Sequence, residues 1–189
     1  MFYRVLAAVV VTIAVAATHQ PAALAQDAKT PVIAVIDYAR AMRESKAGQS
    51  VREQVDKQRA IYQAEIKSIQ TKLEEARQEL QQQQAVLAPD VFARRRQEYQ
   101  QQAESLQRTA QSRKRSLDQM QGEGFSAIEK ALRDVLQGLV EERGYDIVMN
   151  AGAGTSTIVM ANRDLFITDE AVKRLDAKLP SVTVKPKAE

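Results

Sequence analysis

A single proline divides the long helical part of this chain. Pro89 is the only proline or glycine between Gly48 and Gly122, within a run of polar, helix-favouring residues. Steps of alternately three and four residues select a mostly apolar series on each side of it, as in a coiled-coil seam. The first series is Arg52, Val55, Arg59, Tyr62, Ile66, Ile69, Leu73, Ala76, Leu80, Gln83 and Leu87. The second series is Phe92, Arg96, Tyr99, Ala103, Leu106, Ala110, Arg113, Leu117, Met120 and Gly124.

Two seams that flank one proline predict an antiparallel helical hairpin. The arm runs over residues 39–143, with its tip near 87–91. Pro89 suits the first turn of the second helix, where a missing N–H leaves no bond unmade. At about 1.5 Å per residue, each helix would reach roughly 70–80 Å. The alternative is one continuous helix kinked at Pro89, which would leave each seam without its nearest partner.

Short apolar segments flank the arm. "PVIAVIDY", residues 31–38, is typical of a buried strand. After Gly144, a natural helix C-cap, "YDIVMN" and "TSTIVMA" predict two more strands joined by "AGAG". A short helix follows in "ITDEAVKRLDAKL", with Thr168 as its N-cap and acids in its first turn. Residues 181–189 are expected to form a disordered tail.

The fold class is therefore α+β, with a long coiled-coil hairpin projecting from a small β-body. Residues 26–38 and 144–180 supply that body. Three strands are too few for a comfortable independent sheet, so we expect copies of the chain to complete it. The residues expected at the interface between copies are Val32, Val35, Ile36, Ile147, Val148 and Met149.

The N-terminus is typical of a secretory signal peptide. Arg4 supplies a positive charge, "VLAAVVVTIAVAA" supplies the apolar stretch, and "ALA" predicts cleavage after Ala25. The apolar stretch is shorter than the roughly twenty residues that span a bilayer, although an uncleaved anchor is the alternative. Residues 1–25 are thus expected to direct the chain to the periplasm.

The residue types that remain exclude most catalytic chemistry. The only histidine, His19, lies in the signal segment, and the chain has no cysteine. A Ser–His pair, a cysteine nucleophile and a His/Cys zinc site therefore cannot be built. "GAGTST", residues 152–157, lacks the Gly-Lys-Ser/Thr ending of a phosphate loop and reads as a turn. We expect neither an enzyme nor a cofactor.

The order of these segments resembles the periplasmic chaperones of the Skp/OmpH family, from Val32 to about Leu179. The best-marked parts are Asp37 five residues after Val32, the run Ser45-Lys46-Ala47-Gly48, and "D-x-x-I-T" before the closing helix. The tip "LAPDVFARRR" resembles the family's tips, with Ala88 where a serine would cap better.

The resemblance implies a homotrimer, in which a β-body carries three arms around a cavity. It implies a chaperone that holds unfolded outer-membrane proteins without ATP. Many weak contacts suit such a task, because strong apolar anchoring would trap the client. The resemblance also implies lipopolysaccharide as a further partner, without matching residues here.

Basic residues near the tip and further along the second helix could contact acidic clients or anionic headgroups. They are Arg94, Arg95, Arg96, Arg108, Arg113, Lys114 and Arg115. The alternative is a solvated helix face. Arg96 and Arg113 also fall on the seam, so they could pair with carboxylates of the opposite helix.

Three alternatives stay open. Gly122 and Gly124 could form a hinge or permit a close helix approach. The chain could be a structural or adaptor coiled coil of the cell envelope instead of a chaperone, although it has no room for the β-rich halves of such adaptors. A basic nucleic-acid binder is suggested by a pI near 9.2, but the signal peptide and the interleaved acids argue against specific nucleic-acid binding.

Overall fold

A computed structural model describes residues 29–152 and 158–187. All of its elements fall within the unit Pro31–Glu189. In chain order they are strand β1 (Ile33–Ile36), helices α1 (Tyr38–Glu44), α2 (Lys46–Gln83) and α3 (Pro89–Arg143), strand β2 (Ile147–Asn150), a 3-10 turn (Arg163–Leu165) and helix α4 (Thr168–Lys178). The predicted signal peptide, residues 1–25 with cleavage after Ala25, lies outside the described residues.

Helices α2 and α3 form the predicted antiparallel hairpin. Residues that meet across it are farther apart in sequence the farther they lie from the tip. Arg95 donates to Gln83 at 2.7 Å across 12 residues, and the hydroxyls of Tyr62 and Ser116 lie 3.3 Å apart across 54 residues. At about 1.5 Å per residue, α3 extends about 80 Å and α2 about 57 Å. The predicted length therefore holds for α3, whereas α2 is shorter.

The turn lies where the proline predicts it. Helix α2 ends at Gln83, and the N–H of Leu87 donates to the Gln83 carbonyl at 3.0 Å. Pro89 is the first residue of α3, and its N-cap, Ala88, makes no side-chain capping bond. The interpretation as a continuous kinked helix is thereby excluded.

The seam prediction holds along most of the hairpin. Its buried members are Val55, Tyr62, Leu73, Met120 and Gly124. Its exposed exceptions are Arg52, Arg59 and Arg96. At the end of the arm nearest the sheet, Val51 rather than Arg52 is buried, so the packed stripe there begins one residue earlier than predicted.

The helical region is broken once where the sequence predicted none. The helix expected from Ala39 begins at Tyr38 and ends before Ser45, which takes an extended conformation. The Ser45 hydroxyl accepts from the Gly48 N–H at 3.1 Å and donates to the Met42 carbonyl at 3.2 Å. A β-carbon on Gly48 would clash with that carbonyl oxygen. The Ser45-x-x-Gly48 run therefore forms a tight corner between α1 and α2.

The sheet contains two parallel strands, and the third predicted strand is wrong in its described part. Ile33 lies opposite Ile147 in the register of β1 and β2. On its other edge β1 makes a single parallel bridge from Val35 to Phe166. Of "TSTIVMA", residues 155–157 lie outside the described residues, and 158–160 form no strand. The Phe166 bridge thus occupies the second edge of β1.

Helix α4 packs against α1 and α3, and its predicted N-cap is corrected. Ile167 is the N-cap, whereas Thr168 is the first helical residue and is buried. The Thr168 hydroxyl accepts from the backbone N–H of Asp37 at 3.0 Å. Thr168 therefore joins α4 to the end of β1 instead of capping its own helix. The acids predicted in the first turn, Asp169 and Glu170, are present there.

The C-terminal segment is ordered at residues where a disordered tail was predicted. The Gln54 side chain donates to the Val182 carbonyl at 2.7 Å and accepts from the Val184 N–H at 3.0 Å. Val184 is only 8% exposed. A single amide side chain satisfies two backbone groups, so residues 182–184 are bound to α2. Residues 188–189 lie outside the described residues.

Candidate functional site

The arm buries almost all of its large apolar side chains, in the seam between α2 and α3 and, toward Arg143, against α1 and α4. In the arm, residues 39–143, the large apolar side chains that stay exposed are Ile61 and Val86. The outward faces carry glutamine and both signs of charge. Over most of its length, such a surface offers weak polar contacts.

A polar layer interrupts the seam about midway along the arm. Arg113 of α3 makes two hydrogen bonds with the carboxylate of Glu65, at 3.0 and 3.1 Å. Its guanidinium carbon also lies 4.8 Å from the centre of the Tyr62 ring. The expected pairing of Arg113 with the opposite helix is confirmed. Because this guanidinium is engaged inside the hairpin, it is poorly placed to contact a client.

The tip arginines lie on the exposed part of α3. Arg94 is 4.0 Å from Asp90, and Arg95 donates to Gln83 across the turn. The expected pairing of Arg96 with α2 is wrong, because Arg96 is exposed and forms no ion pair with any residue in the described ranges. These three side chains form one cluster of positive charge, which we call the tip arginines.

The other predicted basic residues form a separate group. Arg108 lies 3.7 Å from Glu104 on the same helix face, and Lys114 and Arg115 are exposed. Twelve residues of helix, about 18 Å, separate Arg108 from Arg96. The structure therefore places the predicted basic residues in two groups along α3, not in one site.

The sheet end of the chain exposes the apolar side chains that the arm does not. Val32 is 43% exposed, Ile147 48% and Met149 37%. Val35 and Ile36, which were expected at an interface between copies, are instead buried within the single chain, and Val148 is half-buried. Nearby apolar residues outside the strands are also exposed, namely Val159, Met160, Leu165 and Phe166. We call Val32, Ile147 and Met149 the sheet-edge residues.

Ion pairs fasten α4 to the end of α3. Glu170 accepts from Arg174 at 2.7 Å and from Arg143 at 3.0 Å. The bond from Arg174 and the neighbouring Arg143 hold the pKa of the Glu170 carboxyl below its usual value. Lys178 likewise lies 2.8 Å from Asp134 and lowers the pKa of that carboxyl. These pairs position the base of the arm on the body.

The described ranges 29–152 and 158–187 contain no cluster of acidic residues able to hold a metal ion. Within the same ranges, no helix is long and apolar enough to cross a membrane.

The fold is a long antiparallel helical hairpin that extends from a small two-stranded base. A family model for OmpH-like outer membrane proteins matches residues 32–175, and the chain belongs to that family. The family is periplasmic and is not known for enzymatic activity, and membership supports a general chaperone role.

The fold is similar to a solved structure from Caulobacter crescentus CB15. That crystal structure is of a proposed OmpH-like outer membrane chaperone, and it superposes with a TM-score of 0.76 at 21% identity. The match covers 85% of this chain and 92% of the other. A search of curated proteins gave no significant match.

Sequence reasoning missed the side chains that hold the base of the arm. Gln54 binds the C-terminal segment and Thr168 binds the end of β1, yet neither belongs to a motif that identifies such a role. Their partners lie 128 to 131 residues away in sequence. The spacing "SKAG", by contrast, carried a usable signal, because a serine three residues before a buried glycine fits an N-cap.

Proposed function

We propose that the mature chain is an ATP-independent periplasmic holdase that keeps unfolded outer-membrane proteins soluble on their way to the outer membrane. The observation that carries the proposal is the arm: a hairpin in which α2, about 57 Å long, pairs with the longer α3 and almost all large apolar side chains are enclosed. Its exposed surface binds a client mainly through many weak polar contacts, and these allow release without nucleotide hydrolysis. Membership of the OmpH-like family supports the same proposal.

The holdase works as a homotrimer in this proposal. The sheet-edge residues Val32, Ile147 and Met149 supply the exposed apolar surface that a partner copy would cover. Burying such surface contributes about 25 cal/mol per Å² to the free energy of association, before the entropic and desolvation costs of bringing the copies together are subtracted. Val148, Val35 and Ile36 support this interface from within the sheet, because they fix the strands that present it.

Clients contact the inner faces of the arms and the tip arginines in this proposal. Arg108, Lys114 and Arg115 continue the positive surface along α3. An anionic membrane surface or lipopolysaccharide is a second partner for the same charges, since phosphate groups attract guanidinium groups strongly.

The test is dilution of a urea-unfolded outer-membrane barrel into buffer with the purified mature protein and no nucleotide. Light scattering should stay near the level of buffer alone at about one trimer per client. Scattering that equals the client-only control, or suppression that requires ATP, would overturn the proposal.

A further inference from the structure

A groove at the end of the arm nearest the sheet combines an apolar floor with a basic rim. It lies between α2 and α3 beside the corner with α1, and its volume is about 330 Å³. Val51, Val55 and the ring of Phe125 form the floor. The rim carries three arginines, Arg43, Arg52 and Arg59.

The packing of the hairpin does not require these arginines. Arg52 and Arg59 occupy two positions of the predicted seam, yet both are exposed while Val51 and Val55 fill the core beside them. Arg52 donates one N–H to the Arg43 carbonyl at 2.7 Å, which leaves its other donors available. The Arg43 guanidinium makes no hydrogen bond or ion pair with the described residues of the chain.

The charge of the groove is positive. Its only carboxylate is Asp56, which lies 2.5 Å from Arg59. Three guanidinium groups and one carboxylate give the groove a net charge of +2 around the ring of Phe125. Glu53 lines a separate shallow hollow on the other side of Arg52.

Building on the proposed function, we infer that this groove binds short segments of unfolded protein in which a carboxylate neighbours an aromatic or large aliphatic side chain. The volume lies at the lower end of the roughly 300–1,000 Å³ typical of ligand pockets, so it accommodates one or two side chains. The apolar side chain rests on Phe125, and an aromatic one packs against its ring. The carboxylate accepts hydrogen bonds from the arginine rim. The arms thus carry one selective contact at their base in addition to their diffuse surface.

The absence of tryptophan from the chain provides a direct assay. The probe is the peptide acetyl-Gly-Ser-Trp-Asp-Gly-Ser-amide, whose own tryptophan fluorescence reports binding to the mature protein. Its counterpart has lysine in place of aspartate. We expect the aspartate peptide to bind at least fivefold more tightly than the lysine peptide. The double variant Arg52→Gln/Arg59→Gln should lose at least fivefold in affinity for the aspartate peptide.

The matched control is Lys67→Gln/Lys72→Gln, which removes the same charge from exposed positions farther along α2. It should bind the aspartate peptide as the wild type does. Incorporation of fluorophenylalanine locates the contact, with Phe125→Leu assigning its resonance. The peptide should shift the fluorine signal of Phe125 and leave that of Phe92, at the tip, unchanged.

Four results would overturn the inference. Equal affinity for the two peptides would mean that the arginines do not select a carboxylate. Equal losses in the groove variant and the lysine control would mean attraction by overall charge only. A lower solution mass of Arg52→Gln/Arg59→Gln would assign the groove to a second copy of the chain. Groove-dependent binding of phosphatidylglycerol vesicles without peptide binding would assign it to lipid.

The peptide assay and the barrel assay distinguish an error in the groove inference from an error in the holdase proposal. If the barrel is kept soluble but the peptide does not bind, the groove inference alone is wrong. If the peptide binds at the groove but the barrel aggregates, the groove is a peptide site in a protein that is not a holdase.

Discussion

Gly124 of α3 lies against Val51 of α2 so closely that a β-carbon on Gly124 would be 2.7 Å from both Val51 methyl carbons. The same β-carbon would be 3.2 Å from a methyl of Val184 in the C-terminal segment. Gly124 is thus the point where α2, α3 and the C-terminal segment meet. Of the two roles considered for this glycine, close helix approach is the one that the structure supports.

Gly124→Ala should lower the free energy of unfolding by up to about 2 kcal/mol. The added methyl overpacks a filled core, which typically costs about 1–3 kcal/mol, and Val51 cannot yield easily because its χ1 is restricted. The helix propensity of alanine offsets about 1 kcal/mol of that cost.

The matched control is Gly122→Ala, two residues earlier on the same helix. No atom lies within 4 Å of a β-carbon at Gly122, so this variant should gain up to about 1 kcal/mol from propensity alone. Urea denaturation followed by circular dichroism measures both. Equal stabilisation by the two substitutions would show that the close approach is absent.

The sheet-edge residues should control assembly. Ile147→Asp together with Met149→Asp should prevent assembly of the proposed trimer and preserve helicity, because the charges would be buried unpaired at the proposed interface. Val35→Asp is a poorer probe, since Val35 is 2% exposed in the single chain and the charge would unfold the body itself.

Ile61→Asp serves as the control for that experiment. Ile61 is 59% exposed on the arm, so the substitution should leave the solution mass unchanged. Analytical ultracentrifugation measures all three proteins. A trimer that survives the double substitution would place the interface elsewhere.

The Glu170 ion pairs should make stability fall in acid. Arg174 and then Arg143 hold the pKa of Glu170 below its ordinary value of 4.5. A lowered pKa in the folded state contributes stability that is present above the unfolded-state pKa and is lost as pH falls through the folded-state pKa. The melting temperature of Glu170→Gln should therefore be below that of the wild type at neutral pH, and the difference should shrink below about pH 4.5.

Glu141→Gln is the control for the ion-pair prediction, because it removes a charge near the same end of α3 without an ion pair to α4. Its melting temperature should stay close to that of the wild type at neutral pH. A Glu170→Gln difference that grows in acid would contradict the assigned sign.

The arm could be predicted well from the sequence because its helices and its turn depend on residues that are close together in the chain. The three-and-four spacing and Pro89 define a hairpin from neighbouring residues alone, and burial of Val55, Tyr62 and Met120 confirms the seam. Its errors are at Arg52, Arg59 and Arg96, which lie on the predicted seam but are exposed.

The body was harder to predict because its bonds join distant residues. The parallel pairing of Ile33 with Ile147 spans more than a hundred residues, and the retention of the C-terminal segment depends on Gln54, a residue type common throughout the arm. The composition of "TSTIVMA" is typical of a strand, and the sequence therefore predicted one there. In the structure, however, Phe166 bridges the second edge of β1. A sequence pattern alone does not show which of two segments pairs with that edge.

The tip arginines should speed client capture. Replacing Arg94, Arg95 and Arg96 together by glutamine should slow capture of an acidic client at low salt, with circular dichroism and melting nearly unchanged, because exposed charges add little to stability. Salt screens such attraction over about 8–10 Å, so capture by the wild type should slow more with salt than capture by the variant.

The control for the tip variant replaces three exposed lysines, Lys67, Lys72 and Lys130, by glutamine. It removes the same charge away from the tip and should capture the client faster than the tip variant does. Stopped-flow fluorescence of a labelled client measures the rates. Equal rates for the wild type and the tip variant at low salt would mean that the arginines only solvate the tip.

The most direct test of the holdase account is the mass of the complex formed when an unfolded outer-membrane barrel is diluted from urea into the mature protein. Size-exclusion chromatography with multi-angle light scattering reports that mass without nucleotide present. We predict a soluble species with the mass of three chains plus one client. A protein that elutes at its own mass while the barrel sediments as aggregate would contradict the account.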